Sequence, residues 1–320
     1  MPVFFIMKIQ LVVAETELEK LRASSLASYR LRLANVYEAS KSLGLDVVGG
    51  LDIDQTADLY FLGKITAAFG ERQVNAVLSG LEGKNRIVLD YTDHWLEKEK
   101  SSTGLIYKKL ADISNLMVTP VKRLTDSLIS SGYNAVTVFD GIDAYKALSP
   151  TQTSKKKREV LWFGHSSNIH SLIRLLSGYL NQYDFNLTLV TNKQSFDILR
   201  TTNFKTTPRC KVKGVLWAMN NLLVEAIKAD FCILPVDKEF ASQNRLVTAF
   251  RLGLPVLAEN ISSYEPYRDC YAQMSFGAVK EMFNNPEAWH EKVIEAQQRI
   301  NKELDADVLI DQWTTILKNL

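Results

Sequence analysis

Residues 230–258, DFCILPVDKEFASQNRLVTAFRLGLPVLA, constrain this chain more than any other stretch. The apolar run Phe231 to Val236 reads as a buried strand. A polar turn, Asp237-Lys238-Glu239, separates it from a helix whose apolar positions Leu246, Ala249 and Phe250 recur at helical spacing. Gly253 stops that helix, and Pro255 to Ala258 opens a second strand. Strand, polar loop, helix, Gly stop and strand make a βαβ unit. Its helix starts with Asn244 and Arg245 in the first turn, a place suited to holding an anion.

The same alternation runs through the chain. Strands are expected at 3–14, 45–48, 57–62, 86–90, 115–119 and 135–139, with helices near 66–82 and 122–131 and a mixed helical stretch up to about 110. Residues 15–32 form a long polar connection into a helix that ends near Ser42. After a break the pattern restarts, with strands at 160–163, 186–190 and 211–216 and helices at 168–183, 193–201 and 222–228. Helices at 277–284, 286–303 and 306–319 finish the chain. Strands alternating with helices of this length imply parallel sheets covered on both faces. The break, ALSPTQTSKKKRE at 146–158, is polar, holds Pro150 and has no apolar face, so it reads as a linker. With 320 residues, two domains of ordinary size are expected. The organisation is α/β: residues 1–148, a linker at 149–158, residues 159–304, and a last helix at 305–320.

Composition narrows the classes. Hydrophobic content of 46% and charged content of 23% suit a globular protein with a full core. A net charge of +2 argues against a duplex nucleic-acid partner. The three cysteines, Cys210, Cys232 and Cys270, are far apart, without metal-ligand spacing, and fit a reducing compartment. No apolar run approaches a membrane span, and the N-terminal MPVFFIMKIQLVVAE reads as a buried strand, so a cytoplasmic location is expected.

In open α/β sheets ligands bind beyond the carboxyl ends of the strands, so the residues following each strand are the site candidates. The second half supplies phosphate-type ligands: Gly164, His165, Ser166, Ser167 and Asn168, then Lys193, then Lys238, Glu239, Asn244 and Arg245. Arginine offers a bidentate fork to phosphate and lysine a point charge. The first half supplies proton-handling groups, Asp93 and His94, in the loop after the fourth strand. Tyr29, Arg30 and Arg32 on the long connection are candidates for acceptor binding. Asp52-Ile53-Asp54 has a metal-binding look but lies in a loop after a short strand. No Gly-x-Gly-x-x-Gly or Walker loop is present. Trp95 stands beside the Asp93 loop, where it either lines a pocket or packs in the core.

At these residues the sequence resembles the GT-B glycosyltransferases, particularly the broad glycosyl transferases group 1 branch. LWFGHSSNIHSLIRLL is similar to the first strand and helix of that branch's donor domain. ADFCILPVDKE and QNRLVTAFRLGLPVLAENISSYEPY are similar to its donor-site block, and LDYTDHW and VFDGID to strand ends of its acceptor domain. The resemblance implies two Rossmann-like domains facing across a cleft, with a last helix around Trp313 returning to the first. It implies a metal-independent transfer of sugar from a nucleotide-sugar donor, bound by the second domain, to a glycan or lipid-linked acceptor bound by the first. Surface polysaccharide synthesis is the implied setting, with peripheral membrane contact through the basic 18–32 segment. Many retaining members carry two glutamates separated by seven residues across the donor loop and helix. Here those places hold Phe240 and Thr248, with Glu239 one place off. That departure keeps two other readings open, a GT-B nucleotide-sugar epimerase and a non-catalytic subunit that binds nucleotide sugar or glycan.

Overall fold

The computed structural model describes all residues except 1–5, 25, 66–68, 99, 144, 152–156, 179 and 203–208. The chain divides into two compact units. Unit 1 comprises Met1–Asp143 and Leu304–Leu320, and unit 2 comprises Ala144–Glu303. Half of the expected linker, 152–156, and the start of the expected first strand lie outside the described residues.

Unit 1 is built on strands β1 (Lys8–Val12), β2 (Asp46–Gly50), β3 (Leu59–Leu62), β4 (Ile87–Asp90), β5 (Leu116–Thr119) and β6 (Ala135–Thr137). Helices α1 (Ala34–Ser42), α2 (Glu71–Gly80), α3 (Ser102–Ile113) and α4 (Lys122–Ser130) connect them. All pairings are parallel, in the order β2-β1-β3-β4-β5-β6. β3 and β4 are buried at every position, as strands covered on both faces must be. The chain leaves β1 toward β2 on one side and returns to β3 on the other. The topological switch point therefore lies between β1 and β3, where ligands bind in such sheets.

The 15–32 connection differs from a simple run into a helix. Leu18–Ala23 forms a 3₁₀ turn that buries Leu18 and Leu21, and Tyr29–Leu33 forms a π-helical turn leading into α1. The wider turn faces Tyr29, Leu31, Arg32 and Leu33 inward together.

Unit 2 carries β7 (Arg158–Gly164), β8 (Phe185–Thr191), β9 (Cys210–Leu216), β10 (Phe231–Leu234), β11 (Val256–Ala258) and β12 (Ala272–Gln273). Its helices are α5 (Ile169–Gly178), α6 (Lys193–Thr201), α7 (Met219–Ala226), α8 (Asn244–Arg251), α9 (Phe276–Asn284) and α10 (His290–Glu303). The strand order is β12-β11-β10-β7-β8-β9, again parallel, with its switch point between β7 and β10. Trp162, Leu187, Leu189, Phe231, Ile233 and Leu257 form the sheet side of the core, against Leu172 and Leu175 of α5 and Met282 and Phe283 of α9. The two-residue β12, unexpected from sequence, extends the sheet beside β11.

α8 ends as expected at Gly253, whose φ of 75° lies in the left-handed region. The Gly253 amide donates to Phe250 O at 2.9 Å and the Leu254 amide to Ala249 O at 3.1 Å, a Schellman closure. A Cβ at Gly253 would also stand 2.8 Å from the carbonyl oxygens of Leu148 and Ser149.

The last helix, α11 (Ala306–Lys318), belongs to unit 1. Its Leu309, Trp313 and Leu317 are buried against β1, β3 and α1, and the Trp313 ring meets Phe61 edge-on at 5.4 Å. Burial of side chains of this size stabilises by about 1.5–3 kcal/mol each.

Candidate functional site

In unit 2 the site grows from the switch point. β7 ends in Gly164, and α8 begins after the loop that follows β10. Ser242 Oγ accepts the Asn244 amide at 3.1 Å, which sets the start of α8 and the direction of Arg245. A Cβ on Gly164 would stand 3.2 Å from Arg245 Nη1 and 3.1 Å from Trp162 Cζ2. The glycine is thus what allows the guanidinium and the indole to crowd the end of β7. Arg245 Nη1 is buried and has no hydrogen-bond partner among the described residues, and the same holds for Trp162 Nε1 and Tyr264 OH. Burial raises the Tyr264 phenol and the Cys232 thiol, while the Arg245 charge pulls both back, so the guanidinium lies within electrostatic reach of each. Three buried donors without acceptors are costly in a protein alone. They suit a ligand rich in acceptor oxygens.

The neighbouring loops place the other expected donor residues unevenly. His165 Nδ1 accepts the Ser167 amide at 3.4 Å, and its Nε2 lies 3.1 Å from Asn192 Nδ2, so His165 ties the β7 loop to the β8 loop. Ser166 is buried and donates to Gln194 Oε1 at 2.8 Å, which makes its hydroxyl part of the loop rather than an open ligand. Thr191 Oγ1 donates to Gly164 O at 2.6 Å and fixes the two strand ends together. Ser167, Lys193, Lys238 and Glu239 are exposed, and Asn168 and Asn244 half-buried. Two further residues join this region, Arg174 away from the strand ends and Glu259 directly after β11. Arg174, on α5, pairs with Asp237 at 2.7 Å. Glu259, just past β11, has its carboxyl raised by burial, with Arg174 pulling it down.

In unit 1 the expected acceptor residues Tyr29, Arg30 and Arg32 make internal bonds. Arg32 is buried, donates from Nε to Asp90 Oδ1 at 2.7 Å, and from Nη1 to Val138 O at 2.5 Å and Asp140 Oδ1 at 3.3 Å. Arg30 is tied to Asp143 and donates to Ser24 O at 2.8 Å. Tyr29 OH accepts the Ala14 amide at 3.1 Å. In the basic 18–32 segment Arg22 donates to Asn35 Oδ1 at 2.7 Å and Lys20 pairs with Glu17 at 2.7 Å. No helix of the described residues is long and apolar enough to cross a membrane.

The loop after β4 keeps Asp93 open. The Asp93 side chain is 48% exposed, and Lys64 Nζ lies 3.2 Å from its Oδ2. His94, in contrast, is turned inward with a side chain only 10% exposed, its Nε2 3.3 Å from Ser127 Oγ and its Nδ1 3.5 Å from Glu97. Those contacts make His94 an anchor of the loop. Trp95 stacks on buried Tyr107 at 5.8 Å and carries Lys98 at 5.1 Å from its ring, which puts it in the packing. Asp54 pairs with Lys8 at 2.7 Å and accepts from Thr56, which holds its carboxyl well below the usual range.

No protein-family model matches this chain, and no curated protein matches it significantly. Solved structures do. HepE of Anabaena, in complex with UDP-glucose, is similar over 98% of this chain and 100% of its own, with a TM-score of 0.66 at 14% identity. Sucrose-phosphate synthase of Thermosynechococcus elongatus is similar over 98% of both chains, with a TM-score of 0.68 at 11% identity. The DNA-modifying enzyme β-glucosyltransferase, at 12% identity, reaches a TM-score of 0.52 over 98% of this chain and 99% of its own. The chain has the GT-B glycosyltransferase fold: two parallel six-stranded sheets with flanking helices. Its last helix belongs with the first unit.

Proposed function

We propose that the chain is a glycosyltransferase that uses a nucleotide-sugar donor and a glycan or lipid-linked acceptor. The observation that carries this reading is the buried, unpartnered Arg245 Nη1 at the β7–β10 switch point, with Gly164 leaving it room. A diphosphate supplies the acceptor oxygens that Arg245 lacks, and Lys193 and Lys238 add charge at the loop ends. UDP-glucose in Anabaena HepE supports a uridine nucleotide sugar as the first donor to try.

In the reaction proposed, the acceptor hydroxyl loses its proton to Asp93 and its oxygen bonds to the anomeric carbon. The bond from that carbon to the diphosphate oxygen breaks, and the electron pair leaves with the nucleoside diphosphate. Fixed cationic donors stabilise that developing charge without reorganising, which is why no metal is required in this scheme. Chelator added to the assay should therefore leave turnover unchanged.

Thermal melting of the wild-type protein with UDP-, GDP-, TDP- and CMP-sugars tests the donor site. A ligand at ~100 times its dissociation constant adds about 2.7 kcal/mol to stability. Arg245→Ala should remove that shift. A wild-type protein that no nucleotide sugar stabilises would overturn the reading, as would release of nucleotide that never depends on an added acceptor glycan.

A further inference from the structure

Unit 1 has its own switch point, between β1 and β3, and Lys64 stands at it. β3 ends at Leu62, and the Gly63 amide donates to Val12 O at 3.1 Å. A Cβ on Gly63 would lie 2.6 Å from Val13 Cγ1 and 2.9 Å from Leu33 Cδ1, so the backbone is wedged where Lys64 departs. The side chain then crosses to the end of the adjacent strand β4 and meets Asp93 Oδ2 at 3.2 Å.

The loop that carries Asp93 is itself firmly held. Buried Tyr91 accepts the Leu96 amide on its hydroxyl at 2.7 Å, and the Trp95 amide donates to Asp93 O at 2.9 Å. Those bonds fix the backbone of the loop but not the Asp93 carboxylate. Among the described residues, the carboxylate's hydrogen-bond donor is Lys64, which engages Oδ2 and leaves Oδ1 free. Lys64 is itself one-third exposed, so its ammonium is not a core charge whose main task is to hold the fold.

We infer that Lys64 is a positioning residue: it holds Asp93 by Oδ2 so that Oδ1 faces the acceptor hydroxyl. This rests on the reading of Asp93 as base. In the transfer, the hydroxyl proton passes to Oδ1 as the oxygen attacks the anomeric carbon. Lys64 transfers no proton and forms no bond. Its effect falls on the geometry of the base, where a displacement of about 1 Å costs on the order of 100-fold in rate.

The test measures kcat and both KM values, by nucleoside diphosphate release, for Lys64→Met, Lys64→Gln and Lys64→Arg, each alone and in an Asp93→Asn background. Lys64→Met and Lys64→Gln should lower kcat about 10- to 100-fold with donor KM changed by less than about twofold. Lys64→Arg, which can still reach Oδ2, should recover most of that loss. In the Asp93→Asn background Lys64→Met should cost nothing further, because the group it positions is gone. Wild-type kcat in both neutral variants would overturn the inference. So would an equal loss in the Asp93→Asn background, or a raised donor KM at unchanged kcat, which would make Lys64 a substrate ligand. Full turnover by Asp93→Asn alone would instead overturn the base reading. An inactive Asp93→Asn beside a fully active Lys64→Met would overturn the role of Lys64 only. Unchanged melting temperatures for Lys64→Met and Lys64→Gln separate a lost position from a lost fold.

Discussion

Arg245 Nη1 lies 3.2 Å from the point where a Cβ on Gly164 would stand, so the end of β7 and the first turn of α8 share one space. Neither residue makes sense alone: the glycine permits the approach, and Arg245 Nη1 is left buried by it.

Gly164→Ala follows from this directly. The added methyl forces the guanidinium aside while the sheet beneath is unchanged. Nucleotide-sugar affinity should fall by at least about tenfold, close to 1.4 kcal/mol, with a change in melting temperature small beside that of a core substitution. Calorimetric titration of the variant and the wild type gives the comparison, and equal affinities would show that Arg245 does not reach the donor.

Arg32→Met should be among the most damaging substitutions in unit 1. It leaves Asp90 and Asp140 facing each other in the core without their shared counter-charge, at a cost of about 3–5 kcal/mol. Asp90→Asn should cost less, because burial already pushes the Asp90 carboxyl upward and Asp140 still pairs with the guanidinium. Urea unfolding of the two variants ranks them.

Gly253→Ala combines two penalties. The left-handed backbone costs a non-glycine residue roughly 1–2 kcal/mol, and the methyl also collides with the Leu148 and Ser149 carbonyls. A loss larger than about 2 kcal/mol is expected from the same unfolding measurement. A neutral result would mean that the 148–149 segment yields easily.

The acid limb of stability carries a signature of Arg299. Its hydrogen bonds to Asp269, at 2.8 and 2.6 Å, hold that carboxyl down to about 2. A folded-state pKa below the unfolded value of about 3.9 gives stabilisation that is present above that value and lost as pH falls toward 2. The pair is half-exposed, so the effect is small. The stability difference between wild type and Arg299→Met should be constant above about pH 5 and shrink steadily below it. A difference that does not change with pH would assign the role of Arg299 to packing.

Buried strands were legible because runs such as Ile87 to Leu89 and Phe231 to Leu234 admit few other readings. Gly253 and Gly164 were legible from their positions after a helix and a strand. The Tyr29–Leu33 turn was not, since a π turn has no sequence period of its own. Arg32 reads from sequence as a candidate because it stands on a long polar connection. Its partners lie 58 and 108 residues away, and only the sheet brings them together. Lys64 follows β3 closely, as the rule for site residues requires, but only the sheet shows that its side chain reaches the loop after β4. Applying the strand-end rule to β3 as strictly as to β4 finds it.

The place of α11 in unit 1 gives synthesis on the ribosome an order. Unit 2 is one continuous stretch of chain, whereas the core of unit 1 waits for Leu309, Trp313 and Leu317. The first sheet to emerge is therefore the last to be sealed, and its apolar α11-facing surface stays open while all of unit 2 is made. A chain ending at Glu303 should show the same vulnerability permanently: protease resistance in unit 2 and rapid cleavage in unit 1.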